Sequence, residues 1–292
     1  MLYTYVTSDI LVAIGGYTMG KERQDEVAVM REYKITKAND IIQKARYDLS
    51  LQELKILAYC FSLIKPNDKA GQTYVFSMND FCKICGINYK SGGNYEAVKK
   101  SLKTLRDKSF WLTNEDGNEV LIGWLGSVET SRKNGKVIIR FDMTLEKYIH
   151  DLIGNFTQYS LLSTLPMKSA YSFRLYEILK SYAFQYTHTF DLEDLKKQIA
   201  AVQYQRYPDF RRRVIEPAVI EINRYTDIEI SFEPIKTGIT VTAICFYIRQ
   251  RDVWGHLETI NNARKALDGK KKPKPTPEEP QIQGQMNITD FV

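Results

Sequence analysis

FSMNDF, residues 76–81, reappears in pattern as FDLEDL, residues 190–195. Each string runs aromatic residue, cap residue, apolar residue, acid or amide, Asp, apolar residue. Ser77 and Asp191 carry short side-chain acceptors suited to the free N–H groups at a helix start, so each string predicts a short capped helix. The surroundings repeat as well. LSLQELKILAYCFSLI, 49–64, and MKSAYSFRLYEILKSYAF, 167–184, precede the strings and are amphipathic at helical spacing. Leu54, Leu57, Phe61 and Ile64 mark the apolar stripe of the first. Two basic amphipathic stretches follow, NYEAVKKSLKTLRDKS, 94–109, and QRYPDFRRRVIEPAVIEIN, 205–223. Each gives way to strand-forming sequence. The first is SFWLTNEDGNEVLIGWLGSVETSRKNGKVIIRF, with DG and NG turn signals; the second is DIEISFEPIKTGITVTAICFYI, turning at Lys236–Gly238.

The order helix, strand, helix, helix, hairpin thus occurs twice, about 114 residues apart. That order is the winged-helix plan: a helix-turn-helix that presents its second helix outward, then a β-hairpin wing. The expected fold class is α+β, two tandem winged-helix domains related by internal duplication. The domains are expected at 33–153 and 156–250, with DLIGNFTQ, 151–158, as linker. An N-terminal extension, 1–32, is expected to be poorly ordered or partly helical. Met19 and Met30 follow closely on its start, so 1–18 reads as an upstream extension with little structure. A terminal helix is expected over 251–268, then a disordered Pro- and charge-rich tail, 269–292. The alternative fold is one continuous α+β domain with no DNA role.

A helical wheel over 206–222 puts Phe210, Val214, Ile215, Ala218, Val219 and Ile222 on one broad face, the core face. Asp209, Arg212, Arg213 and Glu216 fall opposite. Arg211 falls on the apolar side, where it is expected to lay its stem on the core and pair with an acid. Arg206 projects from the helix start. Pro217 removes a backbone donor and is expected to kink or restart the helix while leaving the N-terminal turns undisturbed. In the first copy Tyr95, Val98, Leu102 and Leu105 share a face, with Lys99, Lys100 and Lys103 on the other. The hairpin tip adds Arg132, Lys133 and Lys136 around Gly135. One basic helix face is usually just solvated. Two equivalent ones, each followed by a wing, point to double-stranded DNA. Arginine in the second copy suits bidentate reading of guanine. Arg213, Tyr207, Lys236 and the lysines and wing residues of the first copy are expected at the DNA backbone.

Composition is consistent with this. Lys+Arg number 41 against 35 Asp+Glu, a net charge of +6, so clustering matters more than the total. A hydrophobic fraction of 43% suffices for buried cores, and no apolar run spans a bilayer, so a soluble cytoplasmic protein without membrane partners is expected. Four cysteines fit that compartment as free thiols.

Three chemical motifs are incomplete. GGYTMGKE, 15–22, spaces Gly15, Gly20 and Lys21 as in a phosphate-binding loop, but Glu22 stands where a magnesium-holding hydroxyl is needed. Cys82 and Cys85 make half a zinc site, with no second pair and with His150, His188 and His256 scattered. THTF holds only His188, where a nicking enzyme needs a histidine pair. No catalytic residue, metal or cofactor is expected. An enzyme using the Gly15–Lys21 loop and a tandem winged-helix repressor without a replication role remain as alternatives.

DIIQKARYDLSLQELKIL, YSFRLYEIL and YPDFRRRVIEPAVIEIN followed by TDIEISFEPIKTG carry a resemblance over roughly residues 33–250. The chain resembles the plasmid replication initiators that bind repeated origin sequences, iterons, through two winged-helix domains. The resemblance implies an origin-binding protein without nuclease or ATPase activity. Monomers would bind iterons and help open an AT-rich region. Dimers would repress their own gene through a dimer surface on the first domain. The base-reading positions of the family's second domain match Arg206 and Arg212. The first domain's backbone and weaker base contacts match Lys99, Lys100 and Lys103. Host replication proteins, including a helicase and the sliding clamp, would be partners. The last eight residues, QMNITDFV, also read as a clamp-docking motif, with Ile288 and Phe291 filling an apolar pocket and Gln285 hydrogen-bonding at its edge. Val292 departs from the large residue preferred at the end of that pattern.

Overall fold

A computed structural model of the chain describes residues 29–31, 33–87, 92–113 and 116–269. Strand β1 (Lys34–Ala38) leads through α1 (Asn39–Lys44) to α2 (Leu51–Ser62). Helix α2 starts at a capping box: Ser50 accepts the Glu53 N–H at 3.3 Å, and the Glu53 carboxylate accepts the Ser50 N–H at 2.9 Å. Next come β2 (Thr73–Ser77), α3 (Met78–Ile84) and α4 (Gly92–Asp107). Four strands follow, β3 (Ser109–Thr113), β4 (Glu119–Gly123), β5 (Leu125–Thr130) and β6 (Lys136–Phe141), then α5 (Met143–Glu146).

The second repeat retraces this path. It comprises β7 (Phe156–Ser160), α6 (Leu161–Thr164), α7 (Ala170–Ser181), β8 (Thr187–Asp191) and α8 (Leu192–Gln198). The arginine-rich helix then spans 207–225, followed by β9 (Ile228–Thr237) and β10 (Thr240–Gln250). Ser77 accepts the Asp80 N–H at 3.3 Å and Asp191 accepts the Asp194 N–H at 2.9 Å, so both repeated strings fold as capped helix starts. The sheets match too. Their orders are β2-β6-β5 and β8-β10-β9, so in each repeat the strand before the short helix pairs with the last strand of the hairpin. The NG turn is the tip of the first wing, where Gly135 has φ 67°. The DG turn belongs to a separate hairpin, β3–β4, inserted ahead of it.

The expected linker needs correction. Residues 156–158 are strand: β7 pairs antiparallel with β1, from Lys34 opposite Ser160 to Ala38 opposite Phe156. Only 151–155 make the turn, with positive φ at Asp151, Gly154 and Asn155. The first strand of one repeat therefore pairs with the first strand of the other, and one continuous apolar core runs through both.

Polar groups also cross this seam. Lys37 of β1 and Tyr159 of β7 both hydrogen-bond the buried carboxylate of Glu177 on α7. Arg174 donates to the other Glu177 oxygen at 2.7 Å and to the Ile42 carbonyl at 3.2 Å. Its guanidinium lies 4.3 Å from the Tyr47 ring centroid. Burial opposes the charge on Glu177, but the two cations hold its carboxyl below the usual carboxylate range. The terminal helix, α11 (Val253–Asp268), is capped by Asp252 and turns Thr259, Ala263 and Leu267 inward. No helix among the described residues is long and apolar enough to cross a membrane.

Candidate nucleic-acid interface

Helix α4 buries Val98, Leu102 and Leu105, with Tyr95 half-buried, which turns Lys99, Lys100 and Lys103 to solvent. Lys103 pairs with Asp107 one turn on, whereas Lys99 and Lys100 have no ion pair among the described residues. Arg106, seven residues beyond Lys99, extends the same stripe and is exposed. Its spacing from Lys99, two helical turns, marks it for the same face. At the wing tip, Lys133 and Lys136 are exposed. Arg132 is exposed too and pairs with Glu96 of α4, with its guanidinium 5.5 Å from the Tyr95 ring centroid. The wing is thereby tied to the outward helix.

The arginine-rich helix is built in three pieces: α9 (Tyr207–Phe210), a π-helical turn Arg211–Ile215, and α10 (Glu216–Tyr225). Phe210, Val214, Ile215, Ala218 and Ile222 are buried, and Val219 is partly so, as the wheel requires. The effect of Pro217 differs from expectation. The Glu216 N–H bonds the Arg211 carbonyl, a five-residue closure that widens the turn ahead of the proline ring. The distortion therefore falls in the arginine triplet itself, not beyond it.

The three arginines have different partners. Arg211 stays half exposed rather than entering the core. It donates to Glu216 at 2.8 Å, and its guanidinium sits 5.8 Å from the Phe232 ring centroid on β9. Arg212 points outward and pairs loosely with Asp209 at 3.3 Å. Arg213 is exposed, as is Arg206 at the N-cap, and neither has an ion pair among the described residues. The Tyr207 hydroxyl, expected at the DNA backbone, is buried without a hydrogen-bond partner among the described residues, and burial pushes its phenol pKa up, which keeps the O–H protonated. Lys236 is exposed near the second wing tip, opposite Val241.

The family model described as "Initiator Replication protein, WH1" matches residues 34–180, and "Initiator Rep protein, WH2" matches 191–248. The chain belongs to the initiator replication protein family. Among curated relatives, the PI protein of Escherichia coli is 31% identical over 138 residues, covering 41% of this chain and 42% of that protein. The match thus spans less than half the length of that relative. Among solved structures, the Pi initiator protein in complex with iteron DNA aligns with a TM-score of 0.63 at 21% identity, covering 76% of this chain and 99% of that one. The tandem winged-helix fold is common to both.

In this initiator-family chain, α4 and its wing belong to the WH1 match, and the arginine-rich helix with β9–β10 to WH2. The WH1 match runs on through β7 and α7 to residue 180. The Gly15–Lys21 loop and Gln285, Ile288 and Phe291 lie outside the described residues. Cys82 and Cys85 are buried free thiols, and no group of three metal-ligating side chains occurs among the described residues.

Proposed function

We propose that this chain is a plasmid replication initiator that binds double-stranded DNA at directly repeated origin sites. One observation carries the reading: two topologically equivalent outward helices each present cations with no ion pair among the described residues. These are Lys99 and Lys100 in one repeat, Arg206 and Arg213 in the other. Exposed cations not engaged by a carboxylate are free to replace the counterions of phosphates. Arg206 and Arg212 read bases, Arg212 leaving a long, exposed pair with Asp209 at little cost. Arg213, Lys99, Lys100, Lys103, Arg132, Lys133, Lys136 and Lys236 bind the backbone. Tyr207 acts by seating the helix start. The domains divide at 33–153 and 156–250.

The wider reading extends to origin opening at an AT-rich tract, to dimers formed through the first domain, and to repression of the protein's own gene. A host helicase would act on the opened origin, in the cytoplasm. The proposed role needs no catalytic group or cofactor. The tail motif, Gln285, Ile288 and Phe291, docks on the host sliding clamp. A peptide of residues 279–292 should bind the clamp, and a Gln285→Ala, Phe291→Ala peptide should not. No binding by the parent peptide at high micromolar concentration removes the clamp from this account.

The central test is selection of duplexes from a randomised library by the full chain, with a search for the enriched sequence beside its gene. Short direct repeats flanking an AT-rich tract support initiation. A lone palindrome supports a repressor instead, and no enrichment overturns DNA recognition.

A further inference from the structure

The Lys37, Arg174 and Glu177 side chains are 4%, 3% and 1% exposed, yet all three are ionisable groups paired at the seam between the repeats. Burying ions costs free energy that their mutual attraction must repay, and apolar residues of similar size often give equal or better stability. Stability is therefore a poor reason for three charges here. Hydrogen bonds supply direction, which apolar packing does not. Glu177 is held from three sides, by Lys37, Tyr159 and Arg174. Arg174 is itself fixed to the Ile42 carbonyl. Two lesser contacts flank the cluster: Gln43 to Ser181 at 3.0 Å and Arg46 to Asp194 at 2.9 Å.

The cluster also lies on a packed path between the two outward helices: α2 packs on β1, which carries Lys37, and directly on α7, which carries Arg174 and Glu177. On one side α2 packs on α4. On the other, α7 packs on α10. It is pinned there by Tyr176, which donates to Asp227 at 2.9 Å, and by Lys180, at 2.6 Å from the same carboxylate.

We propose that Lys37, Arg174 and Glu177 are positioning residues that fix the distance and angle between α4 and the 207–225 helix, and through them the spacing between the two parts of the DNA site. The DNA consequence rests on the binding function proposed above; the geometric lock does not. One inserted base pair moves one part of the site by about 3.4 Å and turns it by roughly 35° relative to the other. A rigid pair of helices cannot follow that change, and a loosened pair can.

The test replaces the cluster with apolar residues: Lys37→Met, Tyr159→Phe, Arg174→Met and Glu177→Leu together in the full chain. Should that variant not fold, Lys37→Met with Glu177→Gln, which keeps an acceptor for Arg174, takes its place. In the first arm, spin labels are attached at Arg106→Cys on α4 and Ile220→Cys on α10, with Cys245→Ser. Their distance distribution is read by double electron–electron resonance without DNA. The cluster variant should show a broader distribution than the parent, and an equally narrow one overturns the lock. In the second arm, a base pair is inserted between the two protected parts of the library-selected duplex. The parent should lose about tenfold in affinity and the variant about threefold or less. Equal losses overturn the link to spacing. If the parent selects no duplex, DNA recognition fails while the first arm still decides the lock.

Discussion

Arg211 Nε donates to Glu216 Oε1 at 2.8 Å across five residues, whereas side chains that meet along an α-helix are three or four apart. The pair spans the π turn that lets the helix run into Pro217, and it occupies one member of the arginine triplet. Sequence position alone treats the three arginines as a run. The turn separates them into one engaged, one loosely held and one without an ion pair among the described residues.

Pro217→Ala should return 211–217 to α-helical hydrogen bonding, because the restored N–H can bond four residues back and the ring clash is gone. Hydrogen exchange by NMR should show a protected amide at residue 217 and a loss of the five-residue closure at Glu216. Persistence of that closure would show that packing against β9, not the proline, sets the turn.

Arg206→Ala and Arg212→Ala should each cost about 1–3 kcal/mol on the selected duplex and relax base preference, measured by anisotropy titration. Arg213→Ala should weaken all duplexes evenly. Arg211→Ala should change stability by less than about 1 kcal/mol, since its pair is half exposed, and should leave base preference intact. Loss of specificity in a folded Arg211→Ala protein contradicts this division.

Joint replacement of Lys99 and Lys100 by alanine should reduce the slope of log affinity against log salt by about 0.9 per lost phosphate contact. An unchanged slope would place α4 away from the DNA.

Glu177→Leu alone should destabilise by about 3–5 kcal/mol in urea titration, because it strands two buried cations. The pH dependence has a definite sign. The folded-state pKa of Glu177 is lowered, so its contribution is present above the unfolded pKa and lost as pH falls through the folded one. Stability should therefore fall on acidification below the usual carboxylate range. The four-residue apolar replacement should flatten that acid limb, as measured by urea midpoints across pH.

Cys60, Cys82 and Cys85 are buried, and burial raises all three thiol pKa values, that of Cys82 to about 11. Disulfide reagents at pH 8 should modify Cys245 in the native protein and the other three only after unfolding. A strong chelator should leave the melting temperature unchanged. A chelator-induced drop would revive a zinc site at Cys82 and Cys85.

Residue order suffices for the parts set within a turn or two of chain. The caps at Ser77 and Asp191, the apolar stripe of α4, the turn at Gly135 and the terminal helix depend on neighbours three or four residues away, and all were legible from spacing. So was the duplication, because each repeat restates the same local signals. How the repeats join depends instead on elements far apart in the chain. The β1–β7 pairing links strands more than 100 residues apart. Lys37 sits in KITKA, where a lysine reads as solvated, and its burial depends on Glu177, 140 positions away. The engagement of each arginine and the enclosure of the Tyr207 hydroxyl likewise follow from which side chains the fold brings within hydrogen-bond reach. A periodicity reports which face of a helix is apolar; which group on another element meets that face is settled only when the two elements pack.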